Sequence, residues 1–341
     1  MLKDPEASDS TSFPAGISNS DVHERSRRSG RATKHGQVGF VGLGRMGTAM
    51  AANLAAAGRR VVGYIRRPEQ GQELEALSVK PTTDIADLFD CEFVITMLPD
   101  DAVVREVVFG GRDNKAEGLI TGLMPGSVHL SMSTITTAVA AEFANAHAER
   151  DQGYVAAPVF GNPDAARARQ LFVIAAGAPT VVQRCQSIFA VLGQRTFVVG
   201  EDPSTANLIK LIGNAISAVS METLGEVFAL ARKRGLDPQQ LLAVLTGTMY
   251  GGRFHTIYGG KIAREQYSSG GFLFPLILKD VRMALREAES AGVPTPSLSV
   301  VRDRLISGIA RGYSDLDWSA LGLLASEEAG VRRGSKPKLN D

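Results

Sequence analysis

The feature that most constrains the fold is a glycine-rich turn between a predicted strand and a predicted helix near the start of the chain. Residues 37–44, QVGFVGLG, are an apolar stretch that ends in glycines, and residues 45–58 follow with strong helix formers. In a G-x-G-x-x-G turn of this kind, backbone amides and the helix N-terminus approach a pyrophosphate. The sequence therefore predicts a dinucleotide-binding βαβ unit, with cofactor contacts at Gly42, Gly44, Arg45, Met46 and Gly47.

The end of the second predicted strand indicates which dinucleotide is bound. An acidic residue at this point holds the ribose 2′-hydroxyl of NAD, whereas arginine accommodates the 2′-phosphate of NADP. The strand ends in Ile65, Arg66 and Arg67, with no acid among them. Two guanidinium groups suit a phosphate, so we predict NADP as the preferred cofactor and NAD as the second choice. The alternative is that both arginines belong to a solvated loop.

Strands and helices continue to alternate up to about residue 200, which is typical of a parallel α/β sheet. Ligands bind outside the carboxyl ends of the strands in such sheets. We therefore expect the strand end at Met97, Leu98 and Pro99 to face the cofactor, together with Ser133 after the next strand. Ser133 and Thr134 are also suited to cap the helix that follows.

After Pro203 the pattern becomes entirely helical, beginning with one long helix. Apolar residues recur at helical spacing from Ser204 to Arg234 without a proline, which predicts about thirty helical residues, well above the usual ~11–12. Lys210 and Asn214 are four residues apart and so share one face of this buried helix. An unpartnered buried ammonium is costly, which predicts a partner for Lys210 or a lowered pKa. The alternative is a helix-end lysine that extends to water.

Composition limits the classes of protein that fit this chain. Its 341 residues are 44% hydrophobic and 21% charged, and the net charge of +1 gives no electrostatic basis for binding nucleic acid or a membrane. The two cysteines are too few for a disulfide framework or a zinc site, and they favour a reducing, cytoplasmic location. We expect a disordered leader, a nucleotide-binding domain, an all-helical domain and a flexible tail, at residues 1–36, 37–200, 201–326 and 327–341.

Hydride transfer between a nicotinamide and a carbonyl group requires a protein group that moves a proton to or from the oxygen. No metal site is predicted that would polarise the carbonyl. The five histidines are poor candidates, since two are in the leader and His129 lies on an apolar strand. A lysine ammonium can donate both a hydrogen bond and a proton to the oxygen, and Lys210 is the best candidate for this role.

Several segments, taken in order, resemble the β-hydroxyacid dehydrogenase family, which includes 3-hydroxyisobutyrate dehydrogenase and the glyoxylate/succinic semialdehyde reductases and has imine reductases as relatives. The resemblance implies a Rossmann domain joined by one long helix to an all-helical substrate domain, and a homodimer formed through the helical halves. It spans about residues 37–325, in VGFVGLGRMGTAMAANLAAAG (38–58), VITMLPDD (94–101), SMSTIT (131–136), APVFGN (157–162), NLIKLIGN (207–214) and FPLILKDVRMAL (274–285).

The resemblance also implies roles for individual residues. Lys210 would be the catalytic lysine, and Asn214 would orient the substrate. Ser133 would lie near the nicotinamide and the substrate carboxylate. Lys279 and Asp280 would stand at the mouth of the site, the first towards the cofactor and the second towards the substrate. The strand end from Met97 to Pro99 would line the cofactor.

One segment departs from the family pattern. Members usually have Ser-Gly-Gly or Ser-Gly-Asn after Ala-Pro-Val, with the serine and backbone amides binding the substrate carboxylate, whereas this chain has Phe160, Gly161 and Asn162. A ring in place of a hydroxyl should weaken carboxylate recognition and extend the apolar wall. The alternative is that Phe160 is only a core residue. The predicted glycine-broken loop at 246–260 could complete an apolar pocket or form a dimer contact through Tyr250, Phe254 and Tyr258.

Three functions are therefore compared. The first is an NADP-dependent reductase or dehydrogenase that acts on an aldehyde, a keto acid or a bulkier carbonyl. The second is imine reduction with the same cofactor, which Lys210 disfavours because imine reductases usually have another residue type there, and which Phe160 mildly favours. The third is a nucleotide-binding protein without turnover. A decarboxylating 6-phosphogluconate dehydrogenase is disfavoured, because the chain is too short for that enzyme's larger helical domain.

Overall fold

The computed structural model describes residues 33–111, 117–268 and 271–331. Most of the predicted leader and most of the predicted tail lie outside these ranges. The first strand begins at Lys34, within the segment assigned to the leader, because Lys34 pairs with Cys91 of the neighbouring strand and its amide donates to the Asp90 carbonyl at 2.7 Å. The last helix ends at Glu328, so two residues assigned to the tail are helical, and both of these glutamates form ion pairs with Arg311.

The strands form one sheet whose parallel part has the Rossmann order. The described strands are β1 (Lys34–Val41), β2 (Arg60–Tyr64), β3 (Val79–Thr82), β4 (Cys91–Thr96), β5 (Val128–Ser131), β6 (Gly153–Ala156), β7 (Val159–Phe160), β8 (Leu171–Ala176) and β9 (Gly193–Gly200). The parallel order is β3-β2-β1-β4-β5-β6, and β8 continues the sheet with antiparallel pairing to β6 and β7 and parallel pairing to β9. The order reverses between β1 and β4, which is where such sheets bind dinucleotides.

Helices cover the sheet and then form the second half of the molecule. They are α1 (Arg45–Ala56), α2 (Gly71–Ala76), α3 (Asp101–Phe109), α4 (Leu119–Gly122), α5 (Thr137–Ala148), α6 (Pro163–Arg167), α7 (Pro179–Leu192), α8 (Pro203–Lys233), α9 (Pro238–Thr246), α10 (Arg253–Ala263), α11 (Phe274–Ser290), α12 (Pro296–Ala310) and α13 (Leu321–Glu328). The predicted fold class, a Rossmann-type domain followed by an all-helical domain, is confirmed.

The long helix α8 connects the two halves, and its predicted extent is confirmed to within one residue at each end. It packs on β6 and β8 near its start and on α11, α12 and α13 further along. The contact with α13 is very close, since a Cβ on Gly225 would lie 3.0 Å from the Cα of Gly322. Among the helices that the structure describes, none is both long and apolar enough to cross a membrane.

The predicted loop at 246–260 is confirmed only for residues 247–252. Residues from Arg253 onwards form the helix α10 despite the glycine pair at Gly259 and Gly260. Both glycines are buried, and a Cβ on Gly259 would lie 2.9 Å from Leu242, so the small residues allow close packing on α9. Tertiary packing therefore overrides the low helix propensity of glycine here.

Two histidines form a buried hydrogen-bonded row in the nucleotide-binding half. The Nε2 of His129 is 3.0 Å from Oγ1 of Thr96, and its Nδ1 is 2.9 Å from Nε2 of His147. The Nδ1 of His147 lies 2.8 Å from Oε1 of Gln152. Burial lowers the pKa of both rings, that of His147 to about 4. Both histidines are therefore uncharged at neutral pH and are structural residues of the core.

We expect the free energy of unfolding to fall as the solution becomes acidic. The unfolded chain binds a proton to His147 near pH 6.5, whereas the folded protein does so only near pH 4. The lowered pKa of His147 therefore stabilises the fold fully above pH 6.5. This stabilisation is lost as the pH falls from 6.5 to about 4. For His147 alone the loss between pH 6.5 and 4.5 is roughly 2–3 kcal/mol. Chemical denaturation over this pH range measures it.

The matched variants are His147→Gln and His255→Gln. The first should be less stable at pH 8 but should depend less steeply on pH, because it removes the titrating ring. The second alters a histidine on α10, outside the buried row, and should keep the wild-type slope. An unchanged slope in His147→Gln would contradict the role of this row.

Candidate active site

A cavity of about 850 Å³ lies at the carboxyl end of the sheet, between the glycine turn and the helical half. It contains every predicted site residue except Ser133. On its wall are Gly42, Gly44, Arg45, Met46, Gly47, Arg66, Arg67, Met97, Leu98, Pro99, Phe160, Gly161, Asn162, Lys210, Asn214, Lys279 and Asp280.

The glycine turn has the geometry that a bound pyrophosphate requires. Gly42 has a φ of +98°, and a Cβ there would lie 2.3 Å from the carbonyl oxygen of Met97, so only glycine fits. A Cβ on Gly47 would lie 2.0 Å from the oxygen of Gly42, because α1 packs directly on the turn. Gly44 faces open space, since a Cβ there would meet no other part of the protein within 4 Å, and its helix has no side-chain cap. The first amides of α1 are therefore available to an anion.

The end of β2 carries two exposed cations beside this turn. Ile65 is buried, whereas Arg66 and Arg67 are exposed and line the cavity. Within the described residues, neither guanidinium has an ion pair. The end of β2 therefore adds two positive charges and no carboxylate to the cavity wall, as the sequence indicated.

Ser133 does not face the cavity, contrary to expectation. It is almost fully buried, where its Oγ accepts a hydrogen bond from the Leu98 amide at 2.8 Å and donates to the Thr96 carbonyl at 3.3 Å. Nor does it cap α5, because Thr136 occupies the N-cap. Its short hydroxyl instead joins the end of β4 to the end of β5. Ser133 thus positions the strand end that lines the cofactor crevice.

A row of polar groups crosses the cavity from α8 to α11. The Nζ of Lys210 donates to Oδ1 of Asn214 at 2.9 Å, and Nδ2 of Asn214 donates to Oδ2 of Asp280 at 2.6 Å. Lys279 completes the row: its Nζ lies 2.8 Å from the other carboxylate oxygen of Asp280 and donates to the Thr134 carbonyl at 3.0 Å. The row is continuous, so each member fixes the orientation of the next.

The position of Lys210 changes its proton affinity. Burial lowers the pKa of its amine to about 8, the nearby Asp280 carboxylate partly offsets this effect, and the charge of Lys279 adds to it. The amine remains mostly protonated at pH 7 but releases its proton far more readily than a lysine in water does. A buried lysine that titrates near neutral pH is suited to exchange protons with a ligand in the cavity.

Phe160 lies directly over this amine. The Nζ of Lys210 is 4.4 Å from the centroid of the ring, which is the geometry of a cation–π contact. The ring also rests on the backbone of α8 at Gly213, where a Cβ would lie 2.3 Å from its Cζ. Phe160 therefore both packs against the core and faces the cavity. Next to it, Asn162 caps α6 by accepting a hydrogen bond from the Ala165 amide at 2.9 Å.

Aromatic side chains form part of the cavity wall. Phe254 and Tyr258, which the sequence indicated, lie on α10, whereas Tyr250 is exposed and lies outside the cavity wall. Sequence reasoning missed Trp318, Phe272 and Phe172. The ring of Trp318 packs on those of Phe254, Tyr258 and Phe272 at centroid distances of 5.9, 5.2 and 5.6 Å. The one sequence feature that could have indicated this cluster was Trp318, the chain's single tryptophan.

Comparisons with known proteins agree with this arrangement. A family model described as the NAD binding domain of 6-phosphogluconate dehydrogenase matches residues 37–200, and one described as NAD-binding of NADP-dependent 3-hydroxyisobutyrate dehydrogenase matches residues 204–324. The oxidoreductase YfjR of Bacillus subtilis is 35% identical over 84% of this chain and 98% of its own length. The chain belongs to the β-hydroxyacid dehydrogenase family.

Further similar proteins and solved structures are also reductases and dehydrogenases. The 2-hydroxy-3-oxopropionate reductase of Escherichia coli is 30% identical over 84% of this chain and 95% of its own. The structure of Mycobacterium tuberculosis 3-hydroxyisobutyrate dehydrogenase with L-serine is 25% identical, covers 85% of this chain and 99% of that one, and has a TM-score of 0.74. The fold also extends to the Streptomyces aurantiacus imine reductase, at 21% identity over 84% and 99% of the two chains and a TM-score of 0.57.

We expect Gly44→Ala to separate cofactor binding from folding. A methyl group at Gly44 meets no protein atom and has an ordinary φ of −81°, but it occupies the space where a pyrophosphate approaches the turn. The variant should unfold at the wild-type temperature and bind NADPH at least ~10-fold more weakly. Fluorescence titration with NADPH measures the affinity. Gly252→Ala, at the start of α10 and off the cavity wall, is the matched control, and unchanged affinity in Gly44→Ala would contradict the assignment of this turn.

Proposed function

We propose that the protein is an NADP-dependent oxidoreductase that interconverts a carbonyl compound and the corresponding alcohol, with Lys210 as the proton donor and acceptor. The observation that carries the proposal is the buried amine of Lys210, with a pKa of about 8, in the same cavity as an open glycine turn. A nucleotide site and a group that titrates near neutral pH are the two parts that this reaction needs.

Each residue of the polar row has one role in this reaction. When bound, NADPH supplies the hydride. Lys210 holds the carbonyl oxygen by a hydrogen bond and donates the proton that forms the O–H bond as the C–H bond forms at carbon. Asn214 keeps the amine directed into the cavity by accepting its hydrogen bond. Asp280 fixes Asn214, and Lys279 balances the charge of Asp280. In the oxidative direction Lys210 accepts the proton.

The preference for NADP rests on the end of β2. Arg66 and Arg67 are exposed on the cavity wall, and the position where an acid would bind the ribose of NAD holds the buried Ile65. The family model that matches the second half is itself described as that of an NADP-dependent dehydrogenase. Both observations support NADP over NAD.

Imine reduction is the second candidate. The apolar ring of Phe160 and the fold shared with imine reductases favour it. Lys210 favours carbonyl chemistry, because an oxygen that gains negative charge needs a proton donor at this place. A nucleotide-binding protein without turnover would have no use for the buried row from Lys210 to Asp280, which costs free energy to desolvate.

The homodimer stays a prediction that the surface of the helical half supports. Apolar side chains at spacings of four residues are exposed along α8, and α9 has no buried residue at all. The exposed residues on these two helices include Leu208, Ile212, Ile216, Leu230 and Val244. Exposed apolar side chains in this number on neighbouring helices are typical of protein interfaces. A cytoplasmic location likewise stays a prediction.

We expect Lys210→Ala to lower kcat for NADPH-dependent carbonyl reduction by at least ~10²-fold, because it removes the proton donor. The dissociation constant for NADPH should change little. In the wild-type protein, kcat for reduction should decline above about pH 8, the pKa of Lys210, since only the protonated amine donates. Steady-state rates of NADPH oxidation between pH 6 and 10 measure both effects.

The control for this experiment is Lys80→Ala, which removes an exposed lysine on β3 that lies off the cavity wall. It should keep the wild-type rate and pH profile. A Lys210→Ala protein that retains the wild-type kcat would exclude the lysine from the mechanism.

We expect the double variant Arg66→Ala, Arg67→Ala to distinguish the cofactors. Removal of two cations beside the ribose should raise the KM for NADPH by at least ~10-fold, because phosphate contacts of arginine are strong. The KM for NADH should change much less. The double variant Arg59→Ala, Arg60→Ala, at the other end of β2, is the matched control. Equal changes for both cofactors would assign Arg66 and Arg67 to loop surface only.

A further inference from the structure

Four aromatic rings line part of the helical side of the cavity. Phe254 and Tyr258 of α10 pack with Phe272 and Trp318 into one aromatic cluster, with ring centroids 4.9–5.9 Å apart. All four rings lie on the wall of the cavity that contains Lys210. Clustered rings of this kind provide a large apolar contact surface with little rotational freedom. A ligand that fills this cavity therefore meets aromatic surface.

Most of the charged and polar groups on the same side of the cavity already have partners within the protein. Lys279 pairs with Asp280 at 2.8 Å, and both amide atoms of Asn214 are used within the polar row. Ser217 donates its hydroxyl to the Gly213 carbonyl at 2.8 Å. Within the described residues, this leaves Lys210 as the buried cation of the wall that has no carboxylate in direct contact.

Arg253 is a further cation on the cavity wall. It is exposed at the start of α10, and its guanidinium donates to Oε1 of Gln170 at 3.0 Å. Its guanidinium is therefore in contact with solvent, whereas the amine of Lys210 is buried.

Phe160 covers one side of the amine of Lys210. Its ring face, 4.4 Å from Nζ, carries negative electrostatic potential and repels an anion. The ring cannot move back, because it already contacts the backbone of α8 at Gly213. A carboxylate that approached the amine from this side would lose water and meet an aromatic ring in place of a hydrogen-bond donor.

We propose that this site takes an aldehyde or ketone whose carbonyl carbon carries an apolar, ring-sized group in place of a carboxylate-bearing one. This inference rests on the proposed function, which supplies the hydride and the proton. The apolar group packs on the aromatic cluster of Phe254, Tyr258, Phe272 and Trp318. The carbonyl oxygen reaches the amine of Lys210 past the edge of Phe160.

The test compares two sets of substrates with the full-length protein and NADPH. Phenylacetaldehyde and cyclohexanone represent the apolar class, and glyoxylate and succinic semialdehyde represent the carboxylates. We expect kcat/KM for phenylacetaldehyde to exceed that for glyoxylate at least ~100-fold. Phe160→Ser should reduce this ratio at least ~10-fold, and Phe160→Leu should preserve it because it keeps an apolar cover. Phe197→Ser, which alters an exposed ring off the cavity wall, is the control.

Each outcome has a distinct meaning. Faster turnover of glyoxylate or succinic semialdehyde than of phenylacetaldehyde would overturn this inference and leave the proposed function intact. Absence of turnover with every substrate would contradict the proposed function. In that case calorimetric titration of the protein with NADP and either phenylacetamide or succinate still tests the substrate class, because tighter binding of succinate would overturn it.

Discussion

The candidate site depends on the groups that stabilise one buried ammonium group, that of Lys210. The side chain of Lys210 is buried, and its charge is stabilised by the hydrogen bond to Asn214 and by the carboxylate of Asp280 beyond. Burial outweighs the attraction of Asp280, so the pKa of the amine falls to about 8 and its proton becomes available for chemistry. An apolar residue in place of Lys210 would avoid the desolvation cost, so the lysine is better explained by function than by stability.

The two halves of the molecule bring this amine into the same cavity as the glycine turn. The parallel strands place the glycine turn and the end of β4 at one edge of the sheet, where the strand order reverses. The long helix α8 then passes that edge with Lys210 near its start, while α11 approaches from the other side with Lys279 and Asp280. Two hydrogen bonds connect these elements. Ser133 accepts one from the Leu98 amide at the end of β4, and Thr137 donates one to Glu287 of α11 at 2.6 Å.

The sequence predicted the parts of this site that follow from local rules. The glycine turn has a fixed spacing, and Lys210 and Asn214 are one helical turn apart, so both could be identified without coordinates. The bond from Asn214 to Asp280 joins residues 66 positions apart, and the clustering of Trp318 with Phe254 depends on how three helices pack. Ser133 was assigned to the cavity because its position is correct, but the direction of its side chain is set by the neighbouring strand. Long-range packing was therefore the part that local patterns could not supply.

The most direct test of this account is an NMR titration of lysine side chains labelled with ¹³C and ¹⁵N, with Lys210→Arg used to assign the signal. The account predicts a midpoint near pH 8 for Lys210, and a lower midpoint in Asp280→Asn, because the charge that favours the protonated amine is removed while a hydrogen-bonding group remains. A midpoint at the ordinary lysine value of about 10.4, unaffected by Asp280→Asn, would contradict it.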